Sequence, residues 1–177
     1  AYTATAATMV RMYERQLAED AAWREPTEDS IAHMSPAERA AYWIHHLRDI
    51  AVSQGGQPGS CSVLHAWGDL PDPNPAGELV KLGVVALPLV VEHLDDPSPT
   101  RCYGYWRDYA IKSHYLLRYG DCCQQIFEEI TGIEIFRSKN AFGYPLLDGD
   151  PAEIKKTARE WLAKNRAEGE YQGSESF

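Results

Sequence analysis

Leu79-Val80-Lys81-Leu82-Gly83-Val84-Val85-Ala86-Leu87-Pro88-Leu89-Val90-Val91-Glu92 is repeated 37 residues later as Leu116-Leu117-Arg118-Tyr119-Gly120-Asp121-Cys122-Cys123-Gln124-Gln125-Ile126-Phe127-Glu128-Glu129. Leu79 matches Leu116, Gly83 matches Gly120, Ala86 matches Cys123, Leu89 matches Ile126 and Glu92 matches Glu129. The pattern predicts a helix, a glycine corner and a second helix, written twice. Repeats of this period point to stacked helical hairpins, each unable to bury its apolar face alone, which build a surface for binding and seldom a catalytic cleft.

Capping signals frame both units. Asn74 caps a helix with Pro75 at its first position, Gly83 breaks it, and a second helix over about Val84 to Leu94 stops at Asp95-Asp96-Pro97-Ser98-Pro99. Pro88 falls about one turn into that helix, where a missing amide donor matters least. The second unit is expected as helices near Asp108 to Tyr119 and Asp121 to Thr131, with Asp121 as N-cap after Gly120.

Upstream, Met9, Tyr13, Leu17 and Ala21 recur every four positions and predict an amphipathic helix from about Thr5 to Trp23. Ser35-Pro36-Ala37-Glu38 has the form of a capping box and starts a helix running to about Val52, burying Ala40, Trp43 or Ile44, Leu47 and Ala51. Gln54 to Pro75 reads as one long irregular connection, ordered by Val63, Leu64 and Trp67. Downstream, Arg137 to Asp150 reads as loop, and Pro151 opens a helix whose Ile154, Ala158, Trp161 and Leu162 form one face that caps the stack. Residues 167–177, rich in Gly, Ser and Glu, read as a mobile acidic tail.

The corner Leu79-Val80-Lys81-Leu82-Gly83, followed by Ala86, Pro88, Leu89 and Leu94-Asp95-Asp96, resembles the HEAT-like repeat, in which an LG corner joins two antiparallel helices. Leu117-Arg118-Tyr119-Gly120-Asp121 with Cys123 and Ile126 is similar to a second copy, with Tyr119 in place of Leu and Gln125 in place of Pro. The arrangement is similar to that of uncharacterised bacterial proteins carrying such repeats. The resemblance covers Asn74 to Thr131 and implies an α-solenoid fragment that binds other proteins, with no catalytic residues. Between the units the chain departs from the pattern. Either Thr100-Arg101 starts the next helix with an insertion after it, or Arg107 does, leaving Arg101 to Trp106 as an extra loop.

Composition limits the alternatives. Apolar residues make up 44% of 177, with five Trp, ten Tyr and four Phe, enough to form a core without disulfides or metals. No apolar run is long enough to span a membrane, so a soluble protein is expected. The formal charge of −9, with no basic block to offset it, argues against nucleic acid as a partner. The chain opens on Ala1, so a preceding targeting segment would not be visible and the compartment is left open.

Four cysteines are too few for a disulfide scaffold, and Cys123, opposite Ala86, is expected as a buried thiol. Cys61 and His65 are spaced for one helical face, with Cys102, His114 and Cys122 elsewhere, but the set fails the usual zinc spacings, and no metal or cofactor is expected. His45-His46 diverge on a helix, one toward solvent and one at a packing boundary. A Cys61 thiol near His65 or His114 is the alternative reading, a small Cys/His-based enzyme or metal-dependent protein. No nucleophile-elbow, P-loop or dinucleotide-binding pattern supports it.

The most pointed feature is Arg101, Tyr103, Tyr105, Trp106, Arg107 and Tyr109, four aromatics and two arginines in nine residues. Tyr, Trp and Arg are the types enriched at binding hot spots, so the set is a candidate partner-binding site, the competing reading being aromatics packed back over the stack. The sequence therefore predicts an all-α, short HEAT-like α-solenoid of about six helices. It forms a single helical-repeat domain over 1–166, with repeat units at about 74–96 and 107–131 and a capping helix at about 151–165. The predicted function is protein–protein binding or scaffolding, within an assembly or oligomer.

Overall fold

The computed structural model describes the backbone of residues 2–50, 53–54, 61–64, 73–107, 112–133, 138–139, 145–146 and 150–168, and the side chains of 6–50, 63–64, 73–100, 118–133 and 150–165. Helix predominates. The chain, read from sequence as one domain over 1–166, divides into two compact units, Ala1–Ser35 and Pro36–Phe177.

The first unit holds α1 (Tyr2–Ala22) and α2 (Glu28–His33). Along α1 the half-covered positions are Thr8, Met9, Met12, Tyr13 and Asp20, with Gln16 buried and Leu17 at 64% exposure. The expected face Met9, Tyr13, Leu17, Ala21 is therefore corrected. A strict four-residue step advances about 40° beyond a full turn, so three steps carry the last residue well off the starting face. Helix α2 was not anticipated. Its signal is local: Thr27 is extended and its side chain accepts from Ser30 N at 3.2 Å, with Glu28 and Asp29 in the first turn.

The second unit is built on α3 (Pro36–His46), α4 (Pro75–Leu82), α5 (Leu87–Glu92), α6 (Tyr119–Thr131) and α7 (Pro151–Glu168). Ala40, Ile44, Leu47, Leu79, Ala86, Leu87, Val90, Val91, Cys122, Cys123, Ile126, Phe127, Ile154 and Ala158 form one core. Helix α3 starts at Pro36 as expected but ends at His46, short of Val52, and passes into a 3-10 turn over Leu47–Asp49. Arg48 Nε donates to the His45 carbonyl at 3.1 Å, answering a carbonyl that the helix end leaves open.

Asn74 caps α4 by accepting from Ala76 N at 3.2 Å, with Pro75 in the first turn. At the other end Gly83 has φ +58° and ψ −135°, a conformation that only glycine adopts without strain. The chain then passes through a 3-10 turn over Gly83–Val85 into α5, so helix, glycine corner and second helix follow in the expected order, while α4 packs on α3 and α6 and α5 packs on α6 and α7. Helix α7 lies on α5. Arg159 makes a two-pronged contact with Glu92, at 2.9 and 2.7 Å from Nη2, and Lys155 Nζ donates to the Glu92 carbonyl at 2.6 Å and to Asp95 at 2.7 Å. The guanidinium holds the Glu92 carboxyl below its ordinary range.

The second hairpin is different. Residues expected as its first helix form a strand: β3 (Pro99–Arg107) pairs antiparallel with β4 (Lys112–Arg118). Leu116 thus lies in a strand while Leu79 lies in a helix. Gly120 is not a corner either; it sits in the first turn of α6, where a Cβ would lie 2.6 Å from the Leu94 carbonyl oxygen and 3.3 Å from that of Asp96. Close backbone approach, not a positive φ, demands this glycine. Beyond it the match is partial: Cys123, like Ala86, has no exposed surface, but Ile126 is fully buried whereas its counterpart Leu89 is half-buried.

Helix α6 is buried nearly all round and packs against α4 and α5. Gln125 Oε1 accepts from Val63 N at 3.0 Å, and Asn74 Nδ2 donates to Val63 O at 3.0 Å. Two side chains from α6 and the α4 cap thus satisfy both backbone groups of one buried loop residue, so Val63 packs as expected; Trp67 lies outside the described residues. Short two-stranded ladders join β1 (Ser53–Gln54) to β2 (Cys61–Ser62) and β5 (Ser138–Lys139) to β6 (Pro145–Leu146), within stretches read as loop. The tail beyond Glu168 lies outside the described residues.

Candidate binding surface

Five of the six residues singled out in the sequence, Arg101, Tyr103, Tyr105, Trp106 and Arg107, fall in β3; Tyr109 lies outside the described residues. Aromatic and β-branched residues favour the pleated ribbon: Thr100, Tyr103, Tyr105 and Trp106 on one strand and Tyr115 on the other. The pairing is Tyr103 with Leu116, Gly104 with Tyr115, Tyr105 with His114, Trp106 with Ser113 and Arg107 with Lys112.

Paired residues share a face and neighbours along a strand alternate. One face therefore carries Tyr103, Tyr105, Arg107, Lys112, His114 and Leu116, and the opposite face carries Gly104, Trp106, Ser113 and Tyr115. The sequence cluster is divided: Trp106 stands apart from the two tyrosines and Arg107, and Arg101 falls in the register shift between Pro99 and Tyr103. Lys112, His114 and Leu116 join the site although the sequence reading had placed them in a helix. No apolar–polar alternation marks this segment, since Lys112-Ser113-His114 is polar and Tyr115-Leu116-Leu117 apolar throughout.

Charge is concentrated here by strand pairing. Residues 99–117 carry Arg101, Arg107 and Lys112 against Asp108, a formal +2 in a chain of −9, while Arg118 is offset by Asp121. Three residues spread over that length make no basic block in the sequence, but the ribbon sets Arg107 directly opposite Lys112.

The base of the ribbon is fixed by the core. Pro99 and Thr100 are buried, and the turn before them supplies carbonyls to the otherwise orphaned first amides of α6: Tyr119 N donates to Ser98 O at 3.0 Å and Gly120 N to Asp96 O at 3.1 Å. Asp121 is not the N-cap expected but the third residue of a capping box, accepting from Arg118 N at 3.0 Å and pairing with its guanidinium at 3.0 and 2.7 Å. Asp96 accepts from Ser98 N at 2.9 Å and lies 3.1 Å from His93 Nδ1. Burial opposes its ionisation, but the hydrogen bonds from His93 and Ser98 outweigh that and hold the Asp96 carboxyl at about 2. Tyr119 donates its hydroxyl to the His45 carbonyl at 3.2 Å, and burial pushes its phenol up to about 12.

A small cleft beside this base is lined by Leu94, Asp96, Arg118, Asp121 and Pro151 among others. Its charged groups are committed to one another, Asp96 to His93 and Ser98 and Asp121 to Arg118, so they serve structure and not acid–base chemistry. The Cys/His alternative gains no geometry. Cys61 lies in β2, His114 in β4 and His65 outside the described residues, while Cys122 and Cys123 are fully buried free thiols. Burial pushes the Cys123 thiol up, away from the reactive thiolate. Among the described residues no three His, Cys, Asp or Glu side chains are grouped to hold a metal ion. Both His45 and His46 are half-buried, so neither is the solvent-facing member expected. Among the described residues no helix is long and apolar enough to cross a membrane.

Comparison with protein-family models, curated proteins and solved structures gives no match for this chain.

Proposed function

We propose that the chain is a protein-binding module whose contact surface is the ribbon face carrying Tyr103, Tyr105, Arg107, Lys112 and His114. The observation that carries this reading is the register of β3 and β4, which gathers tyrosines and cations from two separate stretches onto one face. Tyrosine and arginine contribute large contact area together with a polar handle, the combination that dominates binding energy at hot spots. The capped, hydrogen-bonded base supports the same reading, because a surface held in place before binding loses less conformational freedom on association. The likeness of the segment Leu79 to Asp96 to a HEAT-like repeat, a class that binds other proteins, supports the same reading.

Site-specific photo-cross-linking in the native source tests the proposal. A benzophenone amino acid replacing Tyr105 is expected to give discrete higher-mass adducts, while the same group replacing Glu129, exposed on α6, gives none. Adducts from Glu129 and none from Tyr105 would move the surface away from the ribbon.

A further inference from the structure

We infer that α1 is a self-association surface, separate from the ribbon, whose occupant is the α1 of a second copy of this chain, laid antiparallel about a two-fold axis at Tyr13 and Glu14.

Packing within its own unit does not use all the apolar surface of α1. The covered side carries Met9, Met12, Tyr13 and Gln16, yet Val10 is 56% and Leu17 64% exposed. At about 100° per residue, Ala6, Val10, Glu14, Leu17 and Ala21 fall within about 80° of arc, about a third of the circumference away from the covered side. All five are exposed, and they form a stripe about 22 Å long. Single exposed apolar residues are ordinary, but a continuous stripe of them marks a contact.

The stripe is its own complement. In a two-fold contact, residue i meets j and j meets i. With the axis at Tyr13 and Glu14, Val10 lies over Leu17 of the second copy and Ala6 over its Ala21. The alanine ends let the helix axes approach to the short end of the usual range of about 8–10 Å.

Charge selects the second copy and its direction. Glu14 interrupts the stripe, and Arg11 stands beside it on one flank. Arg11 donates to Thr8 Oγ1, a neutral group, at 3.3 Å, whereas Arg15 is already held by Glu19 at 3.3 Å. In the antiparallel arrangement this flank faces itself, and each Glu14 lies about 3 Å along the axis from Arg11 of the other copy. Both carboxylates thereby gain a counterion. A parallel arrangement sets Glu14 against Glu14 with the arginines on the outer flanks. A lipid surface is disfavoured as occupant, because its apolar depth offers a carboxylate no counterion.

Sedimentation equilibrium of the full chain from about 1 μM to 1 mM tests this. The mass is expected to rise from 19.9 kDa toward twice that value. Leu17→Lys, or Val10→Lys should the first variant lose helical circular dichroism, is expected to weaken association about tenfold or more, while Val85→Lys, at an exposed apolar residue outside α1, leaves it unchanged. Arg11→Glu and Glu14→Arg are each expected to weaken association alone and to restore dimers when mixed in equal amounts, since an acidic flank then meets a basic one. Oxidation of Ala6→Cys mixed with Ala21→Cys is expected to give a cross-linked dimer beyond that of the parent or of either variant alone. A chain monomeric over the whole range refutes the proposal, as does a dimer indifferent to both lysine variants. A monomer that co-sediments with phosphatidylcholine vesicles puts lipid in place of the second copy. Cross-linking from Ala6→Cys alone, with no restoration on mixing the charge variants, overturns the antiparallel pairing.

Discussion

Replacing Gly120 by alanine isolates the contact that joins the ribbon's base to the core. The new methyl group would lie 2.6 Å from the Leu94 carbonyl oxygen and 3.3 Å from that of Asp96. The first distance is about an ångström shorter than nonbonded heavy atoms settle at, and both partners are backbone atoms that no rotamer change can move aside. Relief requires α6 to lift from the 94–98 turn, which stretches Gly120 N to Asp96 O at 3.1 Å and Tyr119 N to Ser98 O at 3.0 Å. Overpacking costs about 1–3 kcal/mol, and weakening two buried hydrogen bonds adds about 1 kcal/mol. The better helix propensity of alanine returns at most about 1 kcal/mol. The expected net loss is about 1–3 kcal/mol, measured as a fall in the urea midpoint at constant slope. Gly77→Ala is the matched control: it lies within α4, where a Cβ meets only the Asn74 side chain at 3.8 Å, and a gain of about 0.5–1 kcal/mol is expected. A Gly120→Ala protein as stable as the parent, or more so, would refute the close-approach reasoning.

Two further substitutions probe the same framework. Gln125→Ala leaves the Val63 amide without its acceptor and is expected to cost about 1–2 kcal/mol in denaturant unfolding; an unchanged midpoint would show that the side chain does not hold the loop. Asp96, whose folded value is about 2 against 3.8 for the free group, stabilises the fold above about pH 4, and that contribution is lost as pH falls through 2. Asp96→Asn is expected to remove about 2 kcal/mol at pH 7 and to flatten the stability curve between pH 4 and 2; parallel curves for parent and variant would contradict this.

What the sequence made legible was punctuation. Pro36, Asn74-Pro75, Gly83 and Pro151 act through a single residue's own backbone or its nearest amides, and each stands where its local chemistry put it. The repeat misled because it equated two glycines that serve different ends. Gly83 is required by a positive φ, a local property, whereas Gly120 is required by the proximity of Leu94 and Asp96, which no local pattern encodes. Once Gly120 was taken for a corner, Lys112 to Arg118 was assigned to the preceding helix, and no alternation of apolar and polar residues in that segment spoke against it. The aromatic cluster was visible in composition, but its division into two faces depends on a pleat that exists only when β3 pairs with β4. The Val63 clamp joins residues 62 apart in sequence, and the sequence marked Gln125 only as a departure from proline.

The ribbon face exists only in the register that pairs Tyr105 with His114 and Arg107 with Lys112. Cross-strand backbone nuclear Overhauser contacts on isotopically labelled protein measure that register directly. The account predicts contacts between Tyr103 and Leu116, Gly104 and Tyr115, and Tyr105 and His114, with extended-strand couplings through Lys112 to Arg118. Helical contacts between residues three and four apart over the same segment, or pairing displaced by one residue so that Trp106 joins Tyr105's partners, would contradict it.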